Sequence, residues 1–390
     1  MGIYQFLKIK VFILLFIGLT IGSYILANHI YKIKEIASYE NFYKDEEKIA
    51  LDVLKPLMNE PNPEVNLKQE RIKVLIIEGG GIKGVYPVVL LEYLEKKTGK
   101  PISELYDVLG GTSVGSVIVS LLSIPGESKP KFTAEDLITL LPSLVAKSLE
   151  PSFKQKFLSG YGLLSAIVNN QKFIQLLQSI CGNIPFSKAL NHLVLYGYNF
   201  STTTLTAFHN RGADLKLANP LLYQLLGGTT AFFGIIPPNK ILLNPLKNPE
   251  FIGDAGFVVV NPVVSSIIDL QKMYPGKKFL ITYILMHPKQ IPNNIDFPFY
   301  SGSIEAEGIT YPLNHTVNNQ LISEFMQSLN DVYRFDQLTE IGIDQNMNWV
   351  NVYSFDFSDQ NLDNVLEYAK LFLHQNKETL DTIAEELLKD

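Results

Sequence analysis

Two stretches of the chain repeat one plan: an apolar run, a tight glycine turn, then an apolar segment with helical spacing. The first is "IKVLII", followed by "EGGGIKG" at 78–84 and "VYPVVLLEYLEKKTG"; the second is "YDVLGGTSVGSVIVSLLS", beginning at Tyr106. A continuous β-branched run like the first is typical of a strand covered on both faces. Val88, Leu91 and Leu94 give the segment after it a helical stripe, and Gly99 stands where a left-handed helix cap belongs. Two strand–turn–helix units in succession predict a mostly parallel sheet between helices, an α/β chain of three α/β/α layers. Further on, "LVLYGYNF", "TTLTAFHN" and "KKFLITYILM" read as strands. "AEDLITLLPSLVAKSL", "NQKFIQLLQSI", "NQLISEFMQSLNDVYRF" and "NLDNVLEYAKLFLHQNKETLDTIAEELLK" read as helices.

Composition narrows the functions open to such a chain. With 390 residues, 46% of them hydrophobic, it has enough material for one extensive core. The net charge is −6 and the Lys and Arg residues are spread along the chain, which excludes the basic stripe of a nucleic-acid binder. Cys181 is the single cysteine, so an internal disulfide and a cysteine-based metal cluster are both excluded, and its expected role is a small buried apolar side chain. No H-E-x-x-H, paired-carboxylate or EF-hand spacing occurs, and no metal or cofactor is expected.

The N-terminus departs from this composition. Between Lys8 and Lys10 on one side and Lys32 and Lys34 on the other, Val11–Asn28 runs without a charge. At about 1.5 Å per residue that run nearly crosses a hydrocarbon core of about 30 Å. The expectation is an N-terminal transmembrane helix that tethers the protein to a membrane, the anchor covering 1–34. The alternative is a signal peptide cleaved on secretion. Lysines on both flanks leave the orientation open. Phe6 stands where a myristoylation signal requires Ser or Thr. Residues 35–70 read as a short helix and a linker, and 71–390 as a single globular domain.

The two glycine turns carry the chemistry. Gly79, Gly81 and Gly84 have the G-x-G-x-x-G spacing of a dinucleotide turn. Such a loop opening a helix suits any anion, whether a pyrophosphate or the oxyanion of acyl transfer. The second turn chooses between them, because Gly111, Ser113 and Gly115 form G-x-S-x-G, the pattern of a nucleophile elbow. Taken alone, Ser113 is equally a helix cap. With a glycine loop one unit upstream, it reads as a nucleophile: parallel strands end at one edge, which sets the amides from Gly80 to Ile82 beside Ser113. Lys83 brings positive charge or a salt bridge to the same loop. A dinucleotide site would need Glu104 or Asp107 at the end of the second strand, where the strand runs into glycine instead.

In combination these residues resemble the patatin-like phospholipases, whose pattern is a G-G-G-x-R/K-G oxyanion loop, a G-x-S-x-G elbow and a later D-G-G or D-G-A with the aspartate of a Ser/Asp dyad. "GGGIKG" and "GTSVGS" match the first two elements, and "GDAG" within "EFIGDAGFVVVNPVVSSI" supplies Asp254. "GGTTAFFGIIPPNK" is similar to the family's small-residue helix that ends in a proline pair. The resemblance covers most of 71–390. It implies a patatin-like fold, Ser113 as nucleophile and Asp254 as its base. It further implies an oxyanion hole along Gly79, Gly80, Gly81, Ile82, Lys83 and Gly84, a phospholipid or lysophospholipid substrate at a membrane, and hydrolysis of its carboxylic ester. An activating protein partner is undetermined. Three departures stand out: Ala255 replaces a glycine, Val260 and Asn261 precede Pro262 in place of a doubled Asn, and no glycine-threonine turn follows "LITYILMHP".

Three other readings are open to the sequence. Without the resemblance, "GDAG" is turn chemistry in which an aspartate caps backbone. A Ser-Asp-His triad would draw on His287 or His315 with Asp254 or Asp269. A membrane-tethered binding protein that has lost its chemistry would rest on Ala255. The apolar "TAFFGIIPP" stretch reads either as an acyl-channel lining or as core.

Overall fold

Both repeated units fold as the sequence predicts. The computed structural model describes residues 36–60, 69–149, 168–212, 218–232, 235–257, 262–288, 335–343 and 359–389, together with residues 26, 28–30, 34 and 63. In chain order, helix α1 (36–57) precedes β1 (Arg71–Ile77), a 3-10 turn (Gly81–Gly84) and α2 (Val85–Thr98). Then follow α3 (Ile102–Leu105), β2 (Val108–Thr112), α4 (Val114–Leu121), α5 (Ala134–Leu149) and α6 (Gln171–Cys181). The middle of the chain supplies β3 (His192–Asn199), β4 (Thr204–His209), α7 (Leu222–Thr229), β5 (Asn239–Ile241) and β6 (Glu250–Asp254). The last elements are α8 (Val263–Met273), β7 (Lys278–Pro288), β8 (Phe335–Ile343) and α9 (Asp359–Leu388).

The sheet runs β5-β6-β3-β2-β1-β7-β8, with β4 also paired to β3. Pairing is parallel from β3 through β2, β1 and β7 to β8, and antiparallel where β4 and β6 meet β3 and where β5 meets β6. Alternation along β1 divides the core. Leu75 and Ile77 enter a larger cluster with residues of α1, α2, α4, α5, α6, α7 and α9, while Ile72, Val74 and Ile76 pack with Val263, Ile267 and Leu270 of α8. The result is a three-layer α/β fold with a mostly parallel central sheet. Gly99 ends α2 at φ 69, its N–H donating to Glu95 O at 2.8 Å, the left-handed cap anticipated there. Cys181 is buried in the larger cluster, and burial pushes its thiol up to about 12.

Two expectations need correction and one falls elsewhere. Strands β5, β6 and β8 are absent from the sequence reading because each is short or polar. Phe335, expected as the end of a helix, begins β8; the rest of that stretch lies outside the described residues. Nor is the 35–70 stretch simply a spacer: Glu46, Ala50 and Leu54 recur every four residues and form the buried stripe of α1. Glu46 Oε2 accepts hydrogen bonds from Tyr223 Oη at 2.7 Å and Gln224 Nε2 at 2.8 Å, fastening α1 to α7. The apolar residues 11–25 lie outside the described residues, among which no helix is long and apolar enough to cross a membrane.

The Glu46 contact sets a first test. Replacing Glu46 by Ala leaves the buried Tyr223 hydroxyl without its acceptor and removes the carboxylate from the Gln224 amide, which keeps the carbonyl oxygen of residue 46 at 2.9 Å, so Glu46→Ala is expected to lower stability by about 1–3 kcal/mol, read from the urea midpoint at unchanged slope.

Candidate active site

The elbow is built from backbone crowding. Ser113 sits at φ 54 and ψ −128, a conformation that costs a non-glycine residue about 1–3 kcal/mol and lasts only where its surroundings hold it. A Cβ on Gly111 would lie 2.5 Å from the carbonyl carbon of Gly115, and one on Gly115 would strike Ile77 O and come within 2.7 Å of Glu78 O. Glycine at both positions therefore lets the turn close. Ser116 Oγ donates to Gly111 O at 2.9 Å, and Ser116 N–H donates to Ser113 O at 2.9 Å to open α4. The Ser113 hydroxyl makes no capping bond to that helix, so the capping role open in the sequence is not the one it takes. Its side chain is half-buried at the carboxyl edge of the sheet.

The glycine loop lies against it. A Cβ on Gly79 would stand 2.8 Å from Ser113 Cβ and 3.7 Å from its Oγ, so only glycine lets the loop pass this close. Gly81 takes φ 57, and Lys83 N–H donates to Gly80 O at 3.1 Å, closing the 3-10 turn. In such a turn the Gly81 and Ile82 amides precede the first carbonyl available to them, leaving them for an anion. Ile82 and Lys83 are buried within the turn, and Gly84 packs against Val114 of α4. The loop is pinned from below: Glu78 N–H donates to Ile284 O at 3.1 Å, and Glu78 Oε2 accepts from Met286 N–H at 2.9 Å.

Asp254 reaches Ser113 by a route that only the strand register reveals. A strand has two hydrogen-bonding edges, and β4 takes one edge of β3 over Val194–Asn199. On the other edge β2 runs parallel up to the Thr112↔Tyr196 pair, and β6 comes down antiparallel to the Asp254↔Gly197 pair. The two strands thus meet head-on, with Ser113 and Asp254 at their facing ends. Gly197 has no side chain to intrude, and a Cβ there would approach Ile252 Cγ2 to 2.9 Å. A lone glycine inside "LYGYNF" was the sequence signal for this close approach, and it was missed.

Asp254 is buried, its N–H donating to Ala231 O at 3.0 Å and its Oδ1 accepting from Gly256 N–H at 2.7 Å. Burial raises its pKa from the ordinary 3.8 to about 6, against the opposing pull of the Ser113 hydroxyl and the Gly256 amide. Ser113 is thus near enough to favour the carboxylate, while Oδ2 has no full hydrogen-bond partner. Contacts of this kind commonly tighten once a substrate is seated. Ala255 is itself fully buried in the α8-side core.

The competing residues stand elsewhere. Asp107 precedes β2, at the opposite edge of the sheet from the glycine loop, and its Oδ2 accepts from Lys73 N–H at 2.8 Å; Glu104 lies in α3 on the same side. Neither is placed for a ribose. The Asp269 carboxylate faces His209 at 4.0 Å and Lys272 at 3.6 Å. His287 belongs to the end of β7 with its side chain outside the described residues, where His315, Val260 and Asn261 also lie. Ile235 and Ile236 of the apolar "TAFFGIIPP" stretch are core residues. Among the described residues no group of three or more His, Cys, Asp or Glu is placed to hold a metal ion.

Burial of Asp254 predicts a particular stability profile. With a folded pKa near 6 against 3.8, the folded protein binds the extra proton between those values, so stability falls as pH rises through the window and the full cost stands above about 6. Asp254→Asn removes the charge. The variant is expected to be more stable than wild type by up to about 3 kcal/mol at about pH 8 and equal to it near about pH 3.5, as measured by denaturant titration at each pH.

Comparison with known proteins points to one family. Residues 75–265 match the family model described as patatin-like phospholipase. Relatives include probable inactive patatin-3-Kuras 1 of Solanum tuberosum, 26% identical over 210 residues that cover 51% of this chain and 54% of that protein. Patatin-17 of Solanum cardiophyllum is 25% identical over 212 residues, covering 51% of each chain. Patatin group D-2 of Solanum tuberosum is 26% identical over 216 residues, covering 52% of this chain and 51% of that protein. The chain spans about half the length of the curated relatives it matches. The crystal structure of VipD from Legionella pneumophila aligns with 77% of this chain and 67% of its own at 11% identity and a TM-score of 0.32. The matched span holds the glycine loop, the elbow and Asp254, and residues 75–265 of the chain are a patatin-like phospholipase domain.

Proposed function

We propose that the protein is a lipid acyl hydrolase that cleaves the carboxylic ester of a phospholipid or lysophospholipid. The observation that carries this reading is the meeting of Ser113 and Asp254 at the facing ends of β2 and β6. Ser113 Oγ attacks the ester carbonyl carbon while Asp254 accepts the hydroxyl proton, and the carbonyl electron pair moves onto oxygen. The Gly80–Ile82 amides and the N-terminal end of α4 receive that oxyanion; one such donor contributes about 2.7–4 kcal/mol. Collapse expels the alcohol, which takes the proton from Asp254. Water then attacks the acyl-serine, giving its proton to Asp254, and the fatty acid leaves as Ser113 recovers its own.

An aspartate is a weak base for a serine hydroxyl, and burial narrows the gap by raising its pKa to about 6. The raised value lets Asp254 hold the proton long enough to return it to the leaving group. The N-terminal apolar run at 11–28 anchors the domain where such substrates reside.

The full-length protein in detergent is expected to take a fluorophosphonate label at Ser113, with label and ester hydrolysis both abolished in Ser113→Ala. Asp254→Asn should lower kcat by about 10²–10⁴-fold. Since the carboxylate must be ionised to act, wild-type kcat should fall as pH drops through about 6. His287→Ala and His315→Ala should label as wild type does; loss of labelling in either would transfer the base from Asp254 to that histidine.

A further inference from the structure

The β3–β4 hairpin continues past the site. Beyond Tyr196, where β2 ends, β3 runs three more residues, or about 10 Å, before the turn at Phe200–Thr203. Register places Tyr198, Leu205 and Gly253 side by side on one face of this extension, and the Phe200 and Tyr198 rings meet edge-to-face at 5.0 Å. Phe251 joins them, its carbonyl accepting from Phe200 N–H at 2.8 Å. This cluster is exposed: 37% for Phe200, 37% for Leu205 and 44% for Phe251. Gly197, Asn199 and Asp254 share the opposite face by the same alternation, so the hairpin is a wall with the site behind it and an apolar front.

Two features identify what that front faces. From Ala189 to Asn210 there is no Asp, Glu, Lys or Arg, in a chain that is 18% charged. Lys188 and Arg211, which flank this stretch, stand at the other end of the hairpin from its tip; at the border of the apolar front are Glu250, which accepts from Asn199 Nδ2, and Lys240, opposite Phe251, whose long stem lets an ammonium stay in water above apolar contact. Secondly, the tip satisfies its own polar groups. Asn199 Oδ1 accepts from Ser201 N–H at 3.0 Å and Thr202 N–H at 3.2 Å, Ser201 Oγ accepts from Phe251 N–H at 2.9 Å, and Thr203 Oγ1 donates to Thr202 O at 2.7 Å. Thr203 holds φ 55, a strained value for a β-branched residue, to keep this tip closed. Backbone with its own partners enters a lipid boundary without an unmade bond.

Resting on the proposed lipid substrate, we infer that the face formed by Tyr198, Phe200, Leu205 and Phe251 is an interfacial docking surface that inserts into an uncharged or zwitterionic lipid surface. It seats the carboxyl edge of the sheet, and with it Ser113, against the bilayer.

The test uses full-length Ser113→Ala protein reconstituted in phosphatidylcholine bilayers. Leu205→Cys, Phe251→Cys and, as a distant exposed control, Ser179→Cys each provide one reactive thiol for an environment-sensitive dye, Cys181 being buried. Brominated phosphatidylcholine is expected to quench the dye at 205 and 251 but not at 179, equally at about 0.1 M and about 1 M salt. No quenching at 205 and 251 overturns the inference, as does quenching that high salt abolishes. A blue shift without quenching at those positions also overturns it, assigning the face to a second copy or another protein. In the active background, Leu205→Ser with Phe251→Ser should slow hydrolysis of bilayer phospholipid by at least about tenfold and leave a soluble short-chain ester unaffected. An equal loss on both esters overturns the docking role. Failure of wild type to cleave either ester would reject the hydrolase reading, and the quenching result stands apart from it.

Discussion

One edge of β3 governs the site. Two strands from distant parts of the chain share it end to end, β2 rising to Thr112 and β6 descending to Asp254, while β4 fills the opposite edge. Each ladder hydrogen bond fixes strand position to within a fraction of a residue, because a slip of one residue reverses every side chain. The separation of Ser113 and Asp254 is consequently fixed by backbone pairing, not by side-chain choice. The glycine loop joins the same frame through β1, whose Ile77↔Gly111 pair sets where that loop begins relative to the elbow.

This frame accepts two local penalties. Ser113 carries a φ that only a crowded turn sustains, and Asp254 carries a carboxylate in a place that disfavours its charge. The two are linked in the proposed reaction. A relaxed serine would lie down along its helix as a cap, and a solvated aspartate would keep a pKa too low to take a hydroxyl proton. Large, densely packed clusters on both sides of the sheet supply the rigidity that such strain requires.

What could be read from the sequence follows from how local each determinant is. The turns at Gly79–Gly84 and Gly111–Gly115 were legible because a glycine turn between a strand and a helix is specified within about a dozen residues. The three-layer class came from the same two units. The head-on junction was not legible, since it depends on two separate long-range pairings, Thr112↔Tyr196 and Gly197↔Asp254, and β6 is only five residues long. Likewise, α1 was read as a short helix of a spacer and its place in the core was missed, because its buried stripe includes Glu46, a charged residue that contributes only once Tyr223 and Gln224 stand opposite.

Ala255 shows how a departure from pattern is judged by conformation. Among the described residues only Ser113 and Thr203 combine a side chain with positive φ, so position 255 makes no demand that alanine fails to meet. Its methyl group fills space in the α8-side core that a glycine would leave empty. The glycine that matters is the next one. A Cβ on Gly256 would stand 3.1 Å from Asp254 Oδ1, the oxygen that its amide must reach at 2.7 Å. That amide opposes the rise that burial imposes on the carboxyl and holds Oδ1, leaving Oδ2 for the serine side. The one argument for a chain that kept the fold and lost its chemistry was the missing glycine at 255, and the close approach to Asp254 falls instead on Gly256.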